Sequence, residues 1–180
     1  MSKGIRWLIS LLILGVVFWL QRTILSDWGW LSNFNLILAG TLFLVLTSDS
    51  HAWLWTVVGG ILMDSSSTMI FGTHLVILVL VVWVLKILLR EVFSQLSWGG
   101  SLVLAAAGLT GYYLLILLTG SASVVVGLTD YAWAWDWILL RGFLRAVGWN
   151  FVLVASALSW YRWQLKEYLV YDQGSFWHSG

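Results

Sequence analysis

Six apolar runs, separated by short polar breaks, decide most of what this chain can become. They are Trp7 to Leu20, then roughly Phe34 to Thr47, Ala52 to Met63, Thr73 to Leu89, Ser101 to Thr119 and Phe143 to Tyr161. A helix needs ~20 mostly apolar residues to cross the hydrocarbon of a bilayer, where the backbone must satisfy its own hydrogen bonds. Charged residues make up 9% of the chain, against about 25% in ordinary soluble domains, and the mean hydropathy is +0.91. The sequence therefore predicts an all-α integral membrane protein with six transmembrane helices, over about 5–20, 34–47, 52–63, 73–89, 101–119 and 143–161. One membrane domain fills the 180 residues, with 162–180 as a short cytoplasmic tail and no room for a soluble domain.

The second and third runs are shorter than a perpendicular span requires. Between them lie Ser48, Asp49, Ser50 and His51, which are costly at the bilayer centre. The two are expected to form a hairpin of short spans or a re-entrant element. Lys3 and Arg6 precede the first run, whose end at Val17, Phe18, Trp19 and Leu20 lacks the small residues of a cleavage site. An uncleaved signal anchor is expected. If the hairpin crosses twice or not at all, Lys3 and Arg6, Lys86 and Arg90, and Arg162 and Lys166 fall on one side, which the positive-inside rule makes cytoplasmic. Both termini are then cytoplasmic, and Arg22, Arg141 and Arg145 are the exceptions outside.

Most of the 15 Trp residues cluster near the ends of runs, where amphipathic rings favour the headgroup level, so anchoring explains them better than ligand stacking. Proline is absent, and breaks must be made by Gly, Ser, Asn and Asp. Asn33 and Thr73 are placed to cap the second and fourth helices, and Ser65, Ser66 and Ser67 to stabilise a turn by local bonds. Ser101 with Ala105, and Ala107 with Gly111 around Gly108, form small-residue rows that let a neighbouring backbone approach. Arg141 and Arg145 share a helix face, with Trp137, Leu140, Leu144 and Val147 as its apolar side. That stretch reads as an interfacial amphipathic helix, a candidate surface for a partner or for membrane lipids as well as a simple anchor. Asn150, amid Trp149, Phe151 and Val152, is a candidate interhelical polar contact.

Chemistry has few carriers here. Cysteine is absent, which removes disulfides, thiolate nucleophiles and thiolate metal ligands together. A net charge of +1 provides no field to recruit nucleic acid. His51, His74 and His178 stand on three separate segments, so no metal site is expected. Asp64, the serines after it and His74 are the ingredients of acyl transfer, but order alone does not make a triad. A capped turn is the ordinary explanation, and neither an enzyme nor a cofactor is expected. In that turn Asp64 can accept backbone N–H bonds and fix the entry into the Thr73 helix.

The run from Gly59 to Asp64 (GGILMD), the Ser-rich turn, and Phe71, Gly72, Thr73 and His74 opening a long helix resemble MreD, the rod shape-determining membrane protein family of bacteria. In that family a glycine, a few apolar residues and an Asp end the third helix, and a Gly precedes the fourth. Gly60, Asp64 and Gly72 stand at the corresponding positions here, and Asn150 matches an Asn usual in the final helix. The resemblance covers mainly Asn33 to Glu91, and differs in having Asn33 and Ile70 where prolines are usual. It implies a non-enzymatic scaffold of the cell-elongation complex in the bacterial inner membrane. Its partners would be an MreC-like protein and, through it, MreB-like actin, a SEDS glycosyltransferase and a class B transpeptidase. The MreD fold is also similar to the substrate-binding S components of energy-coupling-factor vitamin transporters, which supplies the alternative. An S component should gather polar and aromatic groups near the outer face, for which Asp130, Trp133, Trp135 and Asp136 are candidates. It should also carry a small-residue seam for docking, and the first helix shows a stripe of Ile5, Leu8, Leu12 and Val16 instead.

Overall fold

The computed structural model describes residues 3–25, 33–47, 50–91, 98–127 and 137–175; side chains are not described at 3, 24, 25, 91, 124, 137, 138 and 165–175. These residues form six helices and, among them, no strand: α1 (Lys3–Leu20), α2 (Leu36–Leu46), α3 (Ala52–Ser65), α4 (Thr73–Glu91), α5 (Trp98–Val125) and α6 (Trp137–Ser175). A π-helical turn, Gln21–Leu25, continues α1. Four helices, α1, α4, α5 and α6, are long and apolar enough to cross a membrane. The other two are short, ~16 Å for α2 and ~21 Å for α3 at 1.5 Å per residue, against a hydrocarbon core of ~30 Å.

Helix α2 is apolar on every side, and that composition suits the centre of a bundle. It touches all five other helices. Ile37, Leu38, Leu42 and Val45 are fully enclosed by Leu14 of α1, Leu78, Val82 and Leu85 of α4, Leu104 and Leu109 of α5, and Val154 and Leu158 of α6. Gly108 lets α5 close on this core, since a Cβ there would lie 2.8 Å from Leu85 and 3.0 Å from Leu42. With Ser101, Ala105 and Tyr112 it makes the buried face of α5. Ala107 faces outward and Gly111 has open space around it, so only part of the small-residue pattern serves a close approach. Buried Thr41 and Thr56 return their hydroxyls to the carbonyls of Ile37 and Ala52 one turn back, so neither is an unmet polar group.

The helices alternate in direction. At one end the start of α1 meets the start of α3 (Trp7 on His51), and Lys86 of α4 lies over Trp53 of α3. There too Arg162 of α6 lies over Trp98 at the start of α5. At the other end Gln21 reaches the first turn of α2, and α3 turns into α4. Arg6, Lys86, Arg90 and Arg162 thus share one end, which we call the basic end.

Two boundaries differ from the sequence expectation. Helix α5 runs beyond 101–119 at both ends, and α6 is one helix from Trp137 to Ser175, with no break between an interfacial segment and a last span. Arg141 and Arg145 suggest an interface in the sequence, but a helix carries arginines on an exposed face without ending. The same continuity turns the first part of the expected 162–180 tail into helix.

Candidate functional site

Gly60, Asp64, Gly72 and His74, four of the residues that carry the resemblance, meet where α3 turns into α4. The first backbone N–H groups of a helix have no partner inside it. Here the partner is Asp64 at the end of the preceding helix: Oδ1 accepts the His74 N–H at 2.8 Å and Oδ2 the Leu75 N–H at 3.1 Å. The carboxylate is 4% exposed, and its charge faces the positive end of the α4 dipole. Two glycines make this possible. A Cβ on Gly60 would stand 2.7 Å from the Leu75 Cα, so its absence sets the α3–α4 approach, and Gly72 turns the chain at φ +96°. The connection holds itself: Ser65 and Ser66 donate to the carbonyls of Leu62 and Met63, and Ser67 Oγ accepts the Met69 N–H. Thr73 opens α4 and bonds Ile70 O, but the helix cap is Asp64 rather than Thr73. Phe71 is 68% exposed and is no part of the buried cluster.

His74 extends the cluster sideways. Its Nδ1 is 2.7 Å from the Tyr112 hydroxyl of α5 and its Nε2 is 3.0 Å from Ser67 Oγ; the tautomer decides which group donates. The imidazole also lies nearly parallel to the Tyr112 ring. Asp64 reaches the His74 backbone and makes no bond to the ring, so the carboxylate, imidazole and hydroxyl do not form the relay that orients a catalytic histidine. Both carboxylate oxygens and both ring nitrogens are used in holding α3, α4 and α5 together.

A second polar cluster is built around Asn150, fully buried on α6. Its Oδ1 accepts the Asn35 N–H at 2.7 Å, and its Nδ2 faces Asn33 O, Ala146 O and the Tyr113 hydroxyl at 2.9, 2.8 and 3.0 Å. Asn35 in turn caps α2, its Oδ1 accepting the Leu38 N–H at 3.0 Å. Asn35, and not Asn33, is therefore the cap; Asn33 contributes its carbonyl to Asn150. The two clusters share neighbours on α5, because Tyr112 serves the first and Tyr113 the second, with their rings edge to face at 5.3 Å.

The remaining candidates do not converge here. Trp137 opens α6, but its side chain lies outside the described residues. Arg141 and Arg145 are exposed on α6, as are Leu140 and Leu144, whereas Val147 packs against the core. Asp130, Trp133, Trp135 and Asp136 lie outside the described residues. Among the described residues no three His, Cys, Asp or Glu side chains gather as for a metal. Sequence reasoning passed over Asn35, Tyr112 and Tyr113, and gave Ser67 only a role in the turn. The available signal was the tyrosine pair in an otherwise apolar helix, since a buried phenol needs a partner for its hydroxyl. No family model, curated protein or solved structure matches this chain.

Proposed function

We propose that the chain is a non-enzymatic, MreD-like scaffold of the bacterial rod-shape complex, crossing the inner membrane six times with its basic end in the cytoplasm. The observation that carries this reading is the use made of Gly60, Asp64 and Gly72. These three residues are spent on one interhelical lock, by close approach, capping and a left-handed turn respectively. A rigid bundle of that kind supports a protein that works through its surfaces. The partner implied is an MreC-like protein, with the actin-like and peptidoglycan-synthesising members reached through it. The positive-inside rule supports the orientation, since Arg6, Lys86, Arg90 and Arg162 share one end.

The test is co-purification with an MreC-type partner from native membranes, together with depletion of the chain. Recovery of the partner and rounding of depleted cells are expected. Tight binding of a vitamin by the purified protein, with unchanged cell shape on depletion, would replace this reading with the S-component alternative.

A further inference from the structure

Helix α1 is the least embedded of the long helices, and between it, α2 and α3 a cavity of about 410 Å³ opens to the side. Its walls are Ile9, Ile13, Phe43 and Leu44, with Trp55 at its base. Gly40 makes room for that base, because a Cβ there would run into the Trp55 ring. The indole N–H, the polar atom that could have called for water, is answered by Ser10 Oγ at 2.9 Å. At one extremity stand Arg6 and His51. The groove is thus apolar along its length and cationic at one end, and that end is the basic end of the bundle.

Shape and charge narrow the occupant. Arg6 and Ile13 are two helical turns apart, so the groove runs ~10 Å along α1. A hydrocarbon chain can enter, and a neutral one would leave the guanidinium unused. We propose that the groove holds an acyl chain of an anionic phospholipid whose phosphate docks on Arg6. The arginine fork matches phosphate oxygens bidentately, and anionic lipid is concentrated in the cytoplasmic leaflet, where the basic end belongs by the positive-inside rule. The inference rests on the proposed orientation and not on the scaffold role.

Native mass spectrometry of the detergent-purified chain, with phosphatidylglycerol or phosphatidylcholine of identical acyl chains added, tests it. One retained phosphatidylglycerol is expected, favoured over phosphatidylcholine by about fivefold or more. Arg6→Gln should bring the two lipids to parity. Ile13→Trp fills the groove without altering a charge and should abolish retention of both, which keeps the test sound even where Arg6→Gln disturbs insertion. Equal retention of the two lipids by the unaltered chain would overturn the proposal. So would an undiminished preference in Arg6→Gln, or undiminished retention in Ile13→Trp with native helicity, or displacement of the lipid by inorganic phosphate alone.

Discussion

Asp64 spends both carboxylate oxygens on the backbone of another helix, and that division predicts how its substitutions rank. Asp64→Leu leaves the N–H groups of His74 and Leu75 without acceptors in a buried place, at a cost of ~1–3 kcal/mol each. Asp64→Asn keeps one acceptor oxygen but loses the second bond and the charge on the helix dipole, so about half of that loss is expected. Thermal unfolding of the purified variants should rank them wild type, Asn, Leu, and protein level and, on the proposed scaffold function, cell-shape rescue should follow the same order. An Asn variant that melts like wild type yet loses all function would reassign Asp64 to chemistry or to a charge-dependent partner contact. Glycines give a second contrast at this scale. Gly60→Ala drives a Cβ against the Leu75 backbone and should cost ~1–3 kcal/mol through overpacking. Gly111→Ala meets nothing within 4 Å and should be neutral or stabilising by up to ~1 kcal/mol, since alanine is the better helix former. Melting temperatures of the two variants should move in opposite directions or differ clearly in size.

Two helices of this bundle, α2 and α4, have side-chain acceptors for the N–H groups of their first turns. For α4 the acceptor is Asp64 on the neighbouring helix; for α2 it is Asn35 just before it, held in place by Asn150 from α6. Asn150→Leu removes the acceptor of the Asn35 N–H and the donor to Asn33 O, a loss expected at ~1–2 kcal/mol for membrane interhelical bonds. Hydrogen exchange should accelerate at the Leu38 and Ala39 amides while the His74 and Leu75 amides, capped by Asp64, stay protected. Equal acceleration at both helix starts would mean that the two clusters act as one through Tyr112 and Tyr113. The sequence made the helices themselves legible, because a run such as Thr73 to Leu89 leaves few alternatives to a helix in lipid. It also pointed to Asp64 as the residue fixing the start of α4. It could not separate Asn33 from Asn35, since both precede α2 and the choice depends on where Asn150 arrives from 115 residues away. Nor could it show α6 as continuous, because Arg141 and Arg145 interrupt the apolar pattern without interrupting the hydrogen-bonded helix.

At the scale of the whole molecule, helices of very different length are tied together at one level. Tyr112 falls midway along α5, so α5 continues ~20 Å past the polar clusters to Val125, and α6 begins a similar distance before Asn150. The short helix α2 is thereby enclosed in a bundle in which α5 and α6 are each apolar over 26 residues. Enclosure is what suits an 11-residue helix, with Asn35 at its start, to membrane depth, because its first turn meets protein acceptors. Alternating direction then puts Ser50, before α3, and Val126, after α5, at opposite ends, and both are exposed. The chain has no cysteine, so single Ser50→Cys and Val126→Cys variants report accessibility without background. With the basic end in the cytoplasm, a membrane-impermeant maleimide added to intact cells should label Val126→Cys and leave Ser50→Cys unlabelled until the membrane is permeabilised. The reverse pattern would invert the orientation and leave the crossings intact. A Ser50→Cys thiol unreactive on either side would make α2 and α3 a re-entrant hairpin, and labelling of both positions from outside would remove the antiparallel crossing of α3, α4 and α5.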